Sequence, residues 1–408
     1  MKKIAVFCLA LLVVTACSTL EDNPYEEVLR DLSVRLNYPE NYESFVREGV
    51  RVTARDLNNR NEYSAYTDSE GVARFRMPQG LYRVGLMDRT EQGDRFNGVV
   101  EQVQLTQSAQ NVTMALIHLS PSTLIIKEAY FGGCPKDPLE GRLQNDQYLI
   151  IHNNDVETQY LDGLCFGCAD PYTSASSQNT WVTKDGEGNL VFQDFVPIVE
   201  ALWQFPGSGR DFPLAPGEDA VLAVKGAVDF TKEFPLSVNL NKPEYFACHS
   251  RLHYANEQQH ITPGDQIQDS HILRVVKKTG KANAFVIAIQ SPAILIFRPT
   301  DPAFDLDAYM ADDTQSLATV PGGTSQCVKI PWDWILDGVE VFYSVKNYKR
   351  LKPEIDAAPI FFTGPGLGIS LHRHLDEETS AECGFEVYRD TNNSAEDFYE
   401  RKTASLHQ

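Results

Sequence analysis

His372 and His374 are the residues of this chain whose type and spacing come nearest to chemistry. Two positions apart, they point to the same side if they lie on a strand. Asp376, Glu377 and Glu378 follow closely, so imidazole nitrogens and carboxylate oxygens would meet in one place. Such a donor set suits a transition metal or calcium. A surface strand running into a solvated loop explains the same residues without any ligand, and that reading is preferred. No metal and no cofactor are therefore expected, with His372, His374 and Asp376 as the residues that would hold a metal if one bound. His249 and His253 are four apart and share a face only if 248–254 is helical. Asp301, Asp305, Asp307, Asp312 and Asp313 crowd one loop-like stretch but lack the alternating order of an EF-hand.

Nucleophile machinery is missing. No G-x-S-x-G elbow or H-E-x-x-H occurs, and Gly368-Ile369-Ser370-Leu371-His372 lacks the closing glycine. Gly364-Pro365-Gly366-Leu367-Gly368 is glycine-rich, yet Pro365 removes an N–H that a phosphate cradle needs. Trp332-Asp333-Trp334 brackets an acid with two indoles on the same side of an extended segment. Such a set can hold a sugar or a cationic peptide, but Pro331 and Ile335 favour a place in a sandwich core. With no catalytic set, a non-enzymatic protein is expected.

The N-terminus has the order of a secretory signal. Lys2 and Lys3 precede an apolar run of 13 residues, Ile4 to Ala16, too short to span a bilayer as a helix. It closes on Val14-Thr15-Ala16-Cys17, small residues before a cysteine whose thiol can take a lipid. Residues 1–16 are read as signal peptide, Cys17 as the lipidation site and 17–30 as a polar tether. Glu21 and Asp22, just past the cysteine, resemble the surface-export signal of Bacteroidota lipoproteins. That resemblance implies an outer-membrane, lipid-anchored protein facing the cell exterior; the alternative is a periplasm-facing lipoprotein. Ala284–Phe297 is the nearest later approach to a transmembrane run, and Gln290, Ser291 and Pro292 break it.

Export changes how the cysteines read. Apart from Cys8 and Cys17, six remain: Cys134, Cys165, Cys168, Cys248, Cys327 and Cys383. An even number in an oxidising compartment suggests three disulfides, with fifteen pairings open. Cys165-Phe-Gly-Cys168 has redox or zinc spacing, but no second C-x-x-C supplies further ligands, and the nearby glycines and Asp170-Pro171 suggest a turn. Structural cross-links are expected rather than chemistry. The net charge of −20 repels nucleic acid and anionic lipid, so no nucleic-acid partner is expected.

The elements that must position these residues are strands. Leu32, Val34 and Leu36 alternate with polar residues, as do Val50, Val52 and Ala54, then Ala73, Phe75 and Met77, then Tyr82, Val84 and Leu86, and finally Val112, Met114 and Leu116. Thr67 to Gly71 and Pro78-Gln79-Gly80 supply turns. Gly49–Thr53, Thr67–Phe75 and Pro78–Val84 resemble the carboxypeptidase-regulatory, prealbumin-like and pilin-B-type sandwiches. Beyond Ser120-Pro121-Ser122, the apolar runs Leu124–Ile126 and Tyr148–Ile151 suit strands buried on both faces. The order from there through Trp203–Gly207, Leu214–Val224, Gly368–Arg373 and Asp390–Phe398 resembles a lamin-tail domain, although Ile150 stands where that family usually has an acidic residue.

The expected fold is mainly β: two immunoglobulin-like or prealbumin-like β-sandwich domains over 31–118 and 119–408, the second with a large insertion at about 228–360. The whole order resembles an uncharacterised family of Bacteroidota surface lipoproteins. That resemblance implies an accessory or ligand-binding component of a TonB-dependent uptake complex. Its partners would be the membrane, through the N-terminal lipid, and an outer-membrane transporter or other surface protein. A structural adhesin or surface-assembly protein is the alternative.

Overall fold

The computed structural model describes residues 28–42, 46–90, 95–119, 122–174, 180–186, 188–253, 261–281 and 283–407. Residues 1–16, read as a signal peptide, with Cys17 and the acidic pair Glu21 and Asp22, lie outside them.

Alternation builds the first sandwich from β1 (Leu29–Asn37), β2 (Arg51–Asp56), β3 (Glu62–Tyr66), β4 (Val72–Pro78), β5 (Gly80–Arg89), β6 (Arg95–Leu105), β7 (Ala109–Ala115) and β8 (Ile117–Leu119). One sheet runs β4-β1-β7 and the other β3-β2-β5-β6-β8. Leu32, Val34, Val52, Phe75, Met77, Tyr82, Val84 and Phe96 meet in one core between them. Each large apolar side chain so buried contributes about 1.5–3 kcal/mol. The turn before β4 is held by Asp68, whose Oδ1 accepts from the Glu70 and Val72 amides at 2.9 and 3.1 Å. Gly71 takes the positive φ of 71° that this turn needs.

The second sandwich has as its main strands β9 (Leu124–Tyr130), β10 (Tyr148–Asn153), β11 (Cys165–Ala169), β12 (Phe195–Gln204), β13 (Asp219–Ala223), β14 (Phe246–Cys248) and β15 (Ile272–Lys278). It continues with β16 (Ala293–Phe297), β17 (Gln326–Pro331), β18 (Ile335–Phe342), β19 (Ile360–Phe361), β20 (Ser370–Arg373) and β21 (Phe398–Arg401). They hydrogen-bond in the order β19-β18-β16-β11-β12-β15-β14-β13-β10-β9-β20-β21, with β17 beside the start of β12. This long ribbon folds on itself, so that Leu124, Ile126, Leu149 and Ile151 meet Phe166, Trp203, Ile294 and Val339 in a central core. Both outer faces are covered as well. Tyr148, Ile150 and Val221 pack with Phe230, Val238 and Leu240 on one side. Ile198, Leu295 and Val328 pack with Leu306 and Met310 of α1 (Leu306–Ala311) on the other. Cover on two sides is why β9 and β10 are unbroken buried runs. The stretch expected as an insertion supplies β14 to β18, and β16 pairs directly with β11.

Several local expectations are corrected. Cys165–Cys168 is not a turn but part of the buried strand β11, whose register shifts between Phe166 and Cys168. A Cβ on Gly167 would lie 2.7 Å from the Ile198 side chain, so the glycine serves close strand approach. Trp332–Trp334 is a single 3-10 turn rather than an extended segment; Trp334 packs on Phe304 at 4.9 Å. Residues 251–253 are likewise one 3-10 turn, so His249 and His253 do not share a helical face. In the acidic stretch, Asp305 caps α1 and Asp312 caps α2 (Asp313–Ser316).

The six cysteines expected as disulfides, Cys134, Cys165, Cys168, Cys248, Cys327 and Cys383, are all free thiols. The fold spreads most of them apart. Cys134 lies in one outer core, Cys165 in the other, and Cys168 with Cys248 in the centre. Cys327 is buried on β17, and Cys383 ends α3 (Glu377–Cys383). Burial pushes the Cys134, Cys165 and Cys168 thiols up to about 12, so they pack as small apolar groups.

Candidate functional site

Charged residues that alternation turns away from the first core form a row facing the second sandwich. Glu62, Arg55 and Arg83 are register partners on β3, β2 and β5, and Arg83 Nε pairs with Glu101 at 3.0 Å. Arg83 Nη1 also donates to the Pro359 carbonyl at 3.1 Å, and its guanidinium lies 5.4 Å from the Phe361 ring centre. The buried amide of Asn97 donates to the Thr391 and Asn392 carbonyls. These contacts dock the first sandwich on the second.

Two buried ionic networks stiffen the docked face. Arg373 Nη2 donates to both Asp337 oxygens at 2.8 Å, while Nη1 lies 3.2 Å from Asp397 and 3.4 Å from Asp390. It also donates to the Ile126 and Arg389 carbonyls at 2.9 and 2.6 Å. One guanidinium cannot neutralise three carboxylates. Burial, and the charge of Asp390, hold Asp397 up at about 7 although Arg373 pulls it down. In the second network Glu340 accepts from Lys349 Nζ at 3.0 Å and from the Arg350 amide and Nε at 2.7 and 3.1 Å. Burial works to raise Glu340, but Lys349 and Arg350 hold it below the usual carboxylate range. Asp356 ties this network to Ser394, accepting from its amide at 2.8 Å and its hydroxyl at 2.7 Å. Ser394 opens α4 (Ser394–Asp397), which leads into β21.

Between the row and this wall lies a cleft of about 540 Å³, lined among others by Arg55, Arg60, Tyr343, Phe361, Arg389 and Tyr399. A second hollow of about 610 Å³ shares His374, Arg389 and Tyr399 with it and extends to Asp376, Glu377 and Glu378. Most carboxylates along the cleft are already engaged. Asp56 caps the Asn58 and Asn59 amides, Glu62 faces Arg55 at 3.9 Å, and Glu400 accepts from Thr363 Oγ1 at 2.7 Å. Arg60 and Arg389, by contrast, are exposed, and neither guanidinium has a hydrogen bond or ion pair among the described residues. The His374 ring packs tilted against Tyr399, with centroids 4.8 Å apart. Burial, then the charges of Arg389 and His372, lower its pKa, which leaves a neutral imidazole at neutral pH.

His372 and His374 do share a side, since both rings pack on Tyr399, at 5.7 and 4.8 Å. The three residues named as candidate metal ligands, His372, His374 and Asp376, are otherwise engaged in part. His372 Nδ1 is 2.7 Å from the Arg373 carbonyl, and Asp376 is spent capping α3 through the Thr379 amide and hydroxyl at 3.1 and 2.8 Å. Among the described residues no three His, Cys, Asp or Glu side chains are grouped to hold a metal. His152 and Asp219, 2.7 Å apart, look like a base and its orienting acid, but His152 Nε2 faces the Glu386 carbonyl at 2.9 Å. Neither ring nitrogen is left for a substrate. Sequence reasoning missed Arg60, Arg389 and Tyr399, which belong to no motif; His374, singled out for its spacing from His372, was the legible trace of the cleft.

Residues 215–405 match the family described as protein of unknown function, DUF4876. A crystal structure of a DUF4876 family protein from Bacteroides thetaiotaomicron overlays with a TM-score of 0.55 at 23% identity, covering 91% of this chain and 94% of that one. The two share a fold. The TIE protein of Bacillus anthracis overlays with a TM-score of 0.16 at 11% identity, over 48% of this chain and 26% of that one. A DUF3823 family protein from Parabacteroides merdae overlays with a TM-score of 0.16 at 12% identity, over 42% of this chain and 77% of that one. Those two likenesses carry no argument. No curated protein matches the chain. Among the described residues no helix is long and apolar enough to cross a membrane.

Proposed function

We propose that the protein is a non-enzymatic, lipid-anchored surface protein that binds an anionic ligand in the cleft between its sandwiches, as an accessory to a TonB-dependent outer-membrane transporter. One observation carries the binding half: in a chain of net charge −20, the guanidinium of Arg389, without a hydrogen bond or ion pair among the described residues, stands beside the exposed Tyr399 ring in a cleft of about 540 Å³. A guanidinium forks a carboxylate, and an aromatic face takes the flat side of a sugar ring. An oligosaccharide bearing uronic acids offers both groups together. The anchoring half rests on the Val14-Thr15-Ala16-Cys17 order and the acidic pair behind it. The transporter half rests on the family resemblance alone.

Binding of uronic-acid oligosaccharides to immobilised protein tests the cleft. Arg389→Ala and Tyr399→Ala should each weaken binding about tenfold or more, the loss expected of a charge-assisted or stacking contact. Wild-type binding that both variants retain would place the ligand elsewhere. A pull-down from detergent-solubilised outer membranes tests the transporter, and recovery of the lipoprotein without any transporter would remove that half.

A further inference from the structure

A second pocket lies away from the cleft, on the second sandwich, and the proposal it carries does not rest on the function proposed above. Its volume is about 290 Å³, at the low end of the roughly 300–1,000 Å³ of small-molecule sites. Four segments converge on it: the approach to β10 with Gln144, the loop after β11 with Tyr172, the end of β13 with Lys225, and the approach to β16 with Ile289 and Gln290.

The floor is built rigidly. Gln147 is fully buried, and its amide is consumed by the chain around it: Nε2 donates to the Phe131 and Ile287 carbonyls at 2.8 Å each. Its Oε1 accepts from the Ile287 amide at 2.9 Å, and its own carbonyl accepts from the Val224 amide at 2.9 Å. Residues 224 and 287 are thus fixed to residue 147, and the side chains on either side of them have a defined place.

Above that floor the polar groups are unspent. Lys225 is half-buried, and its ammonium has no carboxylate and no hydrogen-bond acceptor among the described residues. The Gln144 and Gln290 amides and the Tyr172 hydroxyl, also half-buried, are likewise without hydrogen-bond partners there. Burial lowers the Lys225 pKa, and no acidic neighbour raises it again. A cation kept from water without a counter-charge costs free energy that a bound anion returns. The remaining wall, Val286, Ala288 and Ile289, is aliphatic. One cation, neutral hydrogen-bonding groups and an aliphatic wall suit a single carboxylate on a small, partly apolar body. A polyanion would find only one charge to meet.

We propose that this pocket is a binding site for a small monocarboxylate, with Lys225 as the counter-ion and Gln144, Gln290 and Tyr172 as hydrogen-bonding partners. Two sources share that chemistry, a short-chain fatty acid and an N-acylated amino acid or peptide C-terminus.

The test uses the full chain. Calorimetric titrations with butyrate, N-acetyl-alanine and inorganic phosphate compare the ligands. Selective acylation of Lys225 by an N-hydroxysuccinimide ester, read by peptide mass spectrometry, reports the site directly. Saturable binding of at least one carboxylate is expected, together with protection of Lys225 from acylation by that same ligand. Lys225→Gln should weaken binding at least tenfold, while Lys225→Arg, which keeps the charge, should retain part of it. Circular dichroism establishes that both variants fold. Absence of saturable carboxylate binding overturns the proposal, as does Lys225→Gln binding like the wild type. Phosphate binding as tightly as either carboxylate would overturn the carboxylate assignment. A preference between butyrate and N-acetyl-alanine identifies the source.

Discussion

Replacing Arg373 with Met should be the most damaging single change to the second sandwich. The substitution keeps an apolar stem of similar length and removes one buried charge. It strips two hydrogen bonds from Asp337, one from Asp397 and one each from the Ile126 and Arg389 carbonyls. Deleting one partner of a buried ion pair costs about 3–5 kcal/mol, and here the orphaned groups are several, so the expected loss is about 5 kcal/mol at pH 7.5. That is a large share of the roughly 5–15 kcal/mol by which a folded domain is stable. The orphaned acids escape part of the cost by taking up protons. Their folded pKa values rise above the unfolded ones, so the stability they contribute is present at low pH and lost as pH rises. The variant should therefore recover about 1.4 kcal/mol per pH unit for each proton taken up on acidification. Urea unfolding followed by tryptophan fluorescence suits the measurement, because Trp181, Trp203, Trp332 and Trp334 all lie beyond residue 119 and report the second sandwich. Adding Asp337→Asn should restore part of the loss. A cost below about 1 kcal/mol at pH 7.5, or an equal cost at pH 5.5, would refute the reasoning.

Three further outcomes are expected. Asp397 is held up at about 7, so its proton is bound in the folded state and released in the unfolded state between roughly pH 4 and 7. Stability from this group then falls as pH rises through that window, and Asp397→Asn, with no proton to lose, should gain about 2 kcal/mol on the wild type between pH 5.5 and 7 in paired urea titrations. Iodoacetamide should label Cys383, the half-exposed thiol, in the native protein, and Cys134, Cys165, Cys168, Cys248 and Cys327 only after unfolding. Recovery of disulfide-linked peptides from the native protein would contradict the free thiols. Cys17→Ala should abolish incorporation of an alkyne fatty acid and release the protein from membranes; retention without label in the wild type would remove the anchor.

Much of the fold was legible because its code is local. In the first sandwich a strand with one solvated face must alternate, and Val50, Val52 and Ala54 are buried where Arg51 and Arg55 are exposed. Leu124–Ile126 and Tyr148–Ile151 were legible for the opposite reason, since a ribbon covered on both sides needs no alternation of apolar with polar residues. Cys165–Cys168 misled because two glycines beside two cysteines look like a turn. In the fold Gly167 instead makes room for Ile198, a contact between residues 31 apart in the chain that no spacing rule reports. The cysteine count reported an even number, while the placing of Cys134, Cys165, and Cys168 with Cys248 in three cores depends on the path of the whole ribbon.

The cleft was illegible for a deeper reason, which the two ionic networks make concrete. Asp337 and Glu340 sit within Ile335–Phe342, a strand whose other residues are almost all apolar. A carboxylate inside such a run must be paired, because leaving it bare costs several kcal/mol, and that much follows from composition. The partners do not follow. Glu340 pairs with Lys349, nine residues on, while Asp337 waits for Arg373, thirty-six residues on. Arg373 then holds the carbonyl of Arg389, and Asp356 holds Ser394 at the start of the helix leading into β21, where Tyr399 lies. Arg389 and Tyr399 are thus each placed at one remove, through a buried charge whose own partner lies far along the chain. Removing a buried charge in either network should therefore disturb ligand binding as well as stability, whereas removing Arg389 should disturb binding alone.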